Sequence, residues 1–119
     1  MGYSENLLNL VPLNTSSVSQ AFQILDSYGF SVQAFFTGTI CSFQAELEVS
    51  TDPYNGQFGF VPEHWDTMDG SVQVFSSAGS FTWDVQPSAV VWVRLKITDE
   101  SSGTNNGTIG TNIYVKGPL

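Results

Sequence analysis

Residues 42–50 read SFQAELEVS, and the order of side chains along them decides the fold class. Phe43, Ala45, Leu47 and Val49 fall on one phase of a two-residue period, with Gln44, Glu46 and Glu48 on the other. Successive side chains of a strand point to opposite faces of the sheet, so this stretch predicts a half-buried antiparallel strand with an acidic outer face. No long window of the chain offers a helical period to compete with it.

The same alternation recurs outward in both directions, over residues 18–25, 30–37, 72–75, 80–85, 90–98 and 108–116. Clusters of Gly, Pro, Asn, Asp and Ser at 27–29, 52–56, 69–70, 78–79, 86–88 and 102–107 punctuate it, and these are turn formers. Seven or more short strands with such punctuation predict an all-β fold: a single antiparallel β-sandwich or jelly-roll-like domain over residues 17–119. Phe43, Leu47, Val49, Phe81, Trp83, Val93, Leu95, Ile97, Ile109 and Ile113 lie on the apolar phase of their strands and are the expected core.

Two segments depart from the pattern. Residues 1–16 carry Leu7, Leu8, Leu10, Val11 and Leu13 ahead of a Thr-Ser-Ser stretch, and read as an extended N-terminal arm or short edge element. Its apolar teeth, Leu7, Leu8 and Leu10, are expected to dock on another chain. Residues 53–69 form a long connection holding Tyr54, Phe58, Phe60, Trp65 and Met68, too aromatic for a merely solvated loop.

Composition narrows the function. A chain of 119 residues with 41% hydrophobic content buries one core and is short for two domains. Three basic against eleven acidic residues leave a formal net charge of -8, which argues against nucleic acid, whose duplex is usually held by a surplus of Lys and Arg. No apolar run approaches the roughly 18 residues of a membrane span. The opening MGYSENLLNLVPLN has neither a positive n-region nor a long h-region, and the myristoylation pattern fails at its sixth residue, so export and membrane attachment are not expected. The lone Cys41, in FFTGTICSF, is expected to be a small buried thiol.

All three basic residues, Arg94, Lys96 and Lys116, fall within residues 92–117, WVRLKITDESSGTNNGTIGTNIYVKG. Read as a hairpin, its two strands place Val91, Val93, Leu95, Ile97, Ile109, Thr111, Ile113 and Val115 inward. Trp92, Arg94, Lys96, Tyr114 and Lys116 then share the outward face. Two readings stay open. The cations pair with Glu46 and Glu48 on a neighbouring strand of the same chain. Alternatively the face is a subunit interface, with Trp92 and Tyr114 supplying buried ring area and Glu46 and Glu48 of another copy supplying the opposite charge.

Catalytic chemistry has little to stand on. The single histidine, His64, lies beside Glu63 and Asp66, but no nucleophile elbow or phosphate-binding loop accompanies it. One His and one distant Cys do not make a standard zinc site. Asp52, Asp66, Asp69, Asp99 and Glu100 lack the spacing of an EF-hand, so no metal, cofactor or enzymatic activity is expected.

An ordered set of short motifs resembles the small β-sandwich structural and accessory proteins of tailed-phage particles. The matching pieces are Phe36-Thr37-Gly38-Thr39, Val49-Ser50-Thr51-Asp52, Ser77-Ala78-Gly79-Ser80-Phe81-Thr82-Trp83 and Trp92-Val93-Arg94-Leu95. Ser102-Gly103-Thr104 running into Gly107-Thr108-Ile109, then Lys116-Gly117, complete a resemblance that spans roughly residues 18–117. It implies a non-enzymatic virion protein, a capsid decoration or fibre-associated module in many copies, bound to itself and to other virion proteins. It also implies a sandwich like that of discoidin-type and carbohydrate-binding domains. The chain departs from that family at residues 52–65, DPYNGQFGFVPEHW, where a compact turn is usual.

A rival expectation is a carbohydrate-binding module for host glycans. Tyr54, Phe58, Phe60 and Trp65 would be stacking platforms, with Asn55, Asp52 and Glu63 bonding sugar hydroxyls. Rings packed on the end of the sandwich are the alternative.

Overall fold

A computed structural model describes residues 3–24, 29–53, 61–85, 91–101 and 103–115; for residues 3–5 and 7–9 it describes the backbone. Ten strand segments follow one another: β1 (Tyr3–Pro12), β2 (Ser17–Val18), β3 (Phe22–Gln23), β4 (Phe30–Thr39), β5 (Phe43–Ser50), β6 (Asp66–Thr67), β7 (Gln73–Phe75), β8 (Gly79–Val85), β9 (Trp92–Asp99) and β10 (Asn106–Val115). The expected all-β sandwich is what they build.

One sheet has the order β1-β10-β4-β8. The other has the order β2-β9-β5-β6, with β3 continuing β2 along β9 and β7 joining β6 along β5. Every pairing is antiparallel. Four strand positions in each sheet, with the chain crossing from one sheet to the other after β1, β3, β4, β7, β8 and β9, make this strand order that of a jelly roll.

Alternation decides which side of each strand meets the other sheet. Phe30, Val32, Ala34 and Phe36 of β4 and Ile109, Thr111, Ile113 and Val115 of β10 are buried against Phe43, Ala45 and Leu47 of β5 and Val93, Leu95 and Ile97 of β9. The expected core residues lie in this layer, with Val49 and Phe81 partly buried at its margin. A chain of rings closes one end: Phe36 meets Phe43 edge-on at 5.1 Å, Phe75 lies 4.7 Å from Phe36, and Phe81 packs on Trp83 at 5.0 Å. Ser71 is a buried polar hub among them. Its hydroxyl accepts from Leu47 N at 3.1 Å and donates to Met68 O at 2.7 Å, while its carbonyl accepts from Trp83 Nε1 at 2.7 Å.

Three expectations change here. The segment read as an extended arm or short edge element is no free arm but, over Tyr3–Pro12, a ten-residue edge strand of the sandwich, paired antiparallel with β10 from Tyr3↔Val115 to Pro12↔Thr108 and bulged twice on the way. Residues 92–117 are not a hairpin within one sheet, because β9 and β10 belong to different sheets and their connection arches across the end of the sandwich. Asn105 fixes that arch: its buried carboxamide accepts from Cys41 N at 2.6 Å and donates to Ser42 O at 2.8 Å and Asp99 Oδ1 at 2.9 Å. Cys41 is exposed rather than buried, since β4 ends at Thr39 and the residue falls in the parallel arch to β5. Gly38, at φ +95°, lies in the last pairs of β4 against β10; a β-carbon on it would stand 2.9 Å from Gly107 Cα.

Candidate interaction surfaces

The arch separates the residues that the hairpin reading grouped together. Trp92, Arg94 and Lys96 lie on the outer face of the β2-β9-β5-β6 sheet, whereas Tyr114 lies on the outer face of the opposite sheet. Lys116 is outside the described residues. Arg94 and Lys96 therefore form no common patch with Tyr114.

Their neighbours are the two glutamates of β5. Register sets Glu48 opposite Arg94 and Glu46 opposite Lys96. Arg94 Nε donates to Glu48 Oε1 at 2.8 Å, with 23% and 11% of the two side chains exposed. Its guanidinium carbon also stands 4.2 Å from the centroid of the Trp65 ring, a cation–π contact. Glu46 is buried under Thr67 Oγ1, which donates to its Oε2 at 2.5 Å, and Gln44 Nε2, which donates to Oε1 at 3.2 Å. Lys96, half-buried, makes no ion pair among the described residues. Trp92 retains only 7% exposure, and its Nε1 donates to Asp52 O at 2.9 Å.

Asp52 connects this face to the far end of the long aromatic connection. Its Oδ2 accepts from Glu63 N at 2.8 Å and His64 N at 3.0 Å, and Oδ1 lies 3.1 Å from His64 Nδ1. The His64 and Glu63 amides hold its carboxyl below the usual range. Trp65 Nε1 donates to Pro62 O at 3.0 Å. The sequence 61–65 is thus pinned by Asp52 from one side and by Arg94 from the other.

This accounts for the expected ligand groups one by one. Asp52 is engaged with backbone donors, one face of Trp65 carries the Arg94 guanidinium, and Glu63 is exposed. Tyr54, Asn55, Phe58 and Phe60 lie outside the described residues. Leu7 and Leu8 are described in backbone only, and Leu10 is exposed on β1. Asp99 spends its carboxylate on the Ser101 hydroxyl and on the Ser101 and Gly103 amides, which hold its pKa down as well. Among the described residues no group of three or more His, Cys, Asp or Glu is placed to hold a metal ion. Among the described residues no helix is long and apolar enough to cross a membrane.

Sequence comparison finds no matching family model and no matching curated protein. Comparison of folds does find likenesses. The SPBc2 prophage-derived protein YomS superposes with a TM-score of 0.58 at 10% identity, over 97% of this chain and 92% of that one. PirA superposes with a TM-score of 0.50 at 13% identity, over 96% of this chain and 92% of that one. At such identities the likeness is one of fold, and it extends over nearly the whole of each chain.

Proposed function

We propose that the chain is a non-enzymatic structural or accessory protein of a bacteriophage particle, carried in many copies as a capsid decoration or fibre-associated module. The observation that carries the reading is the near end-to-end likeness of fold to a prophage-derived protein of similar extent. Fold alone does not fix function, and two further features lean the same way. The ordered motifs between residues 36 and 117 resemble those of phage sandwich proteins, and the jelly roll is an architecture that viral coats use.

The way the fold uses its charged and aromatic side chains supports binding rather than turnover. Arg94, Glu48, Trp65, Asp52 and Trp92 fasten the long connection to a sheet face, and Asp99 with Asn105 fastens the arches. What remains outside is a sandwich with few charged residues for its size, suited to sit on a lattice of partners. Localisation to the virion and assembly with copies of itself and other virion proteins follow from the proposal.

The test is quantitative mass spectrometry of purified particles from the phage, or induced lysogen, whose genome encodes the chain. The expected result is the chain at a fixed multi-copy ratio to the major capsid protein through successive gradient purifications. A chain abundant in the lysate but missing from particles would overturn the reading.

A further inference from the structure

We propose that the outer face of the β1-β10-β4-β8 sheet is a binding site for an uncharged oligosaccharide. The proposal rests on this face alone, so it holds or fails independently of whether the chain sits on a particle.

Register lines up Asn6, Asn112, Gln33 and Thr82 in one row across all four strands. All four are exposed. The row crosses three interstrand spacings, about 14 Å, which is room for several sugar rings. One step along β10 and β4, Tyr114 stands opposite Ser31. These six residues surround a depression of about 460 Å³, closed beneath by Ile113, whose own side chain is buried in the core.

The other bank of the row is apolar. Gly110 pairs with Phe35, and a β-carbon on Gly110 would stand 2.7 Å from Phe35 Cε2 and 3.3 Å from Leu10 Cδ2. The missing side chain is what lets the Phe35 ring lie over the strand beside Leu10. The polar floor therefore runs between a phenol that is 44% exposed at Tyr114 and a hydrophobic bank whose Leu10 is 64% exposed.

Chemistry selects the ligand class. Three carboxamides, two hydroxyls and a phenol both donate and accept hydrogen bonds, and none of the six is charged. Among them, the described residues show one side-chain pair, Asn6 Nδ2 donating to Asn112 Oδ1 at 3.1 Å; Gln33 and Thr82 are left facing outward. An anion would meet no cation in this row and a chain of net charge -8. An apolar ligand would strip water from carboxamides without replacing their bonds. Sugar hydroxyls meet donors and acceptors alike, while sugar C–H faces pack on rings such as Tyr114 and Phe35. This places glycan recognition on the sheet face, away from the aromatic connection at 53–69.

The experiment is a titration of ¹⁵N-labelled full-length chain with maltohexaose, cellohexaose and chitohexaose, and with hexagalacturonate as the charged control. At least one neutral sugar is expected to shift the amides of residues 31–35, 80–84 and 110–114 and the side-chain amides of Gln33 and Asn112. Gln33→Ala and Tyr114→Ala, both at exposed positions, should each weaken that binding about tenfold while leaving the remaining spectrum in place. The proposal is overturned if no neutral sugar shifts the spectrum or if the shifts centre on His64 and Trp65. It is overturned equally if both variants bind as wild type, or if hexagalacturonate binds best. Sedimentation of the same samples covers the remaining occupant: a wild-type oligomer that Tyr114→Ala dissociates makes this face a subunit contact instead.

Discussion

Replacing Arg94 by Ala probes whether the basic residues serve the chain's own scaffold. The substitution removes a hydrogen-bonded ion pair at 2.8 Å and a guanidinium 4.2 Å from the Trp65 centroid. Exposed ion pairs contribute about 0 to 1 kcal/mol, while orphaning one partner of a fully buried pair costs about 3 to 5 kcal/mol. With 23% and 11% of the side chains exposed, the Arg94–Glu48 pair lies between these limits, nearer the lower one because water still reaches both groups. Adding about 0.5 to 1 kcal/mol for the ring contact, Arg94→Ala should cost about 2 to 3 kcal/mol. A cycle with Glu48→Gln isolates the pair: the coupling should be about 1 to 2 kcal/mol, and Arg94→Ala should still cost something in the Glu48→Gln background through Trp65. Urea denaturation followed by tryptophan fluorescence measures all four corners, with sedimentation run alongside. A loss under about 0.5 kcal/mol, or a change of assembly state at unchanged stability, would refute the internal role and return Arg94 to the interface reading.

Four further outcomes are expected. Leu47→Ala and Leu95→Ala, both fully buried and paired in register between β5 and β9, should each cost about 2 to 5 kcal/mol by chemical denaturation. Thr111→Val should stabilise the chain by about 1 kcal/mol, because the Thr111 hydroxyl is buried in the core with no partner among the described residues; a destabilised variant would show that it has one. Asp52 and Asp99 both have carboxyls held below the usual value of about 3.9, so their contribution is present above that pH and lost as pH falls through the lowered values. Acid denaturation curves of Asp52→Asn and Asp99→Asn should accordingly be flatter below about pH 4 than that of wild type. Removing residues 1–12 should destabilise the sandwich and promote association, because it uncovers the β10 edge; a truncated chain that stays monomeric and equally stable by sedimentation and thermal melting would contradict this.

Alternation told which side of each strand turns inward, and it did so without knowing the strand's neighbours. That is why Phe43, Leu47, Leu95, Ile97, Ile109 and Ile113 were legible from sequence: burial on one face depends on period alone. Which sheet a strand joins depends on the loop, and residues 100–105 carry the same Gly, Asn and Ser signals whether the chain doubles back in one sheet or arches to the other. The arch here is fixed by Asn105, whose partners Cys41 and Ser42 lie more than sixty positions away in sequence, so no local pattern announces it. The N-terminal strand was obscured for a related reason. Its two bulges break the period between Asn6 and Val11, and a strand with a broken period reads as irregular chain. Cys41 followed the strand context before it, while β4 ends at Thr39 and leaves the residue in the connection to β5. The polar row on the other sheet was legible as separate outward residues, yet only pairing in register across β1, β10, β4 and β8 brings Asn6, Asn112, Gln33 and Thr82 together.

The concentration of positive charge near the end of the chain is then a consequence of where β5 sits. β5 is central in its sheet, so Glu46 and Glu48 on its outer face are covered by β6 and by the far end of the aromatic connection. A covered carboxylate needs a partner, and the neighbouring central strand β9 is the place from which one can be supplied. Arg94 does so for Glu48, Thr67 and Gln44 do so for Glu46, and Lys96 faces Glu46 from across the strand. Once Arg94 is committed to Glu48, the chain as a whole stays strongly acidic, three basic against eleven acidic residues. Identical chains therefore repel one another at long range, on a scale of about 8 Å at physiological ionic strength. On the opposite sheet the carboxamide row beside Tyr114 is itself uncharged, with Asp84 exposed two residues along β8 from Thr82. The charged side chains of β5 and β9 are thus spent on the chain's own scaffold, while Asn6, Asn112, Gln33 and Thr82 on the opposite sheet stay exposed to solvent.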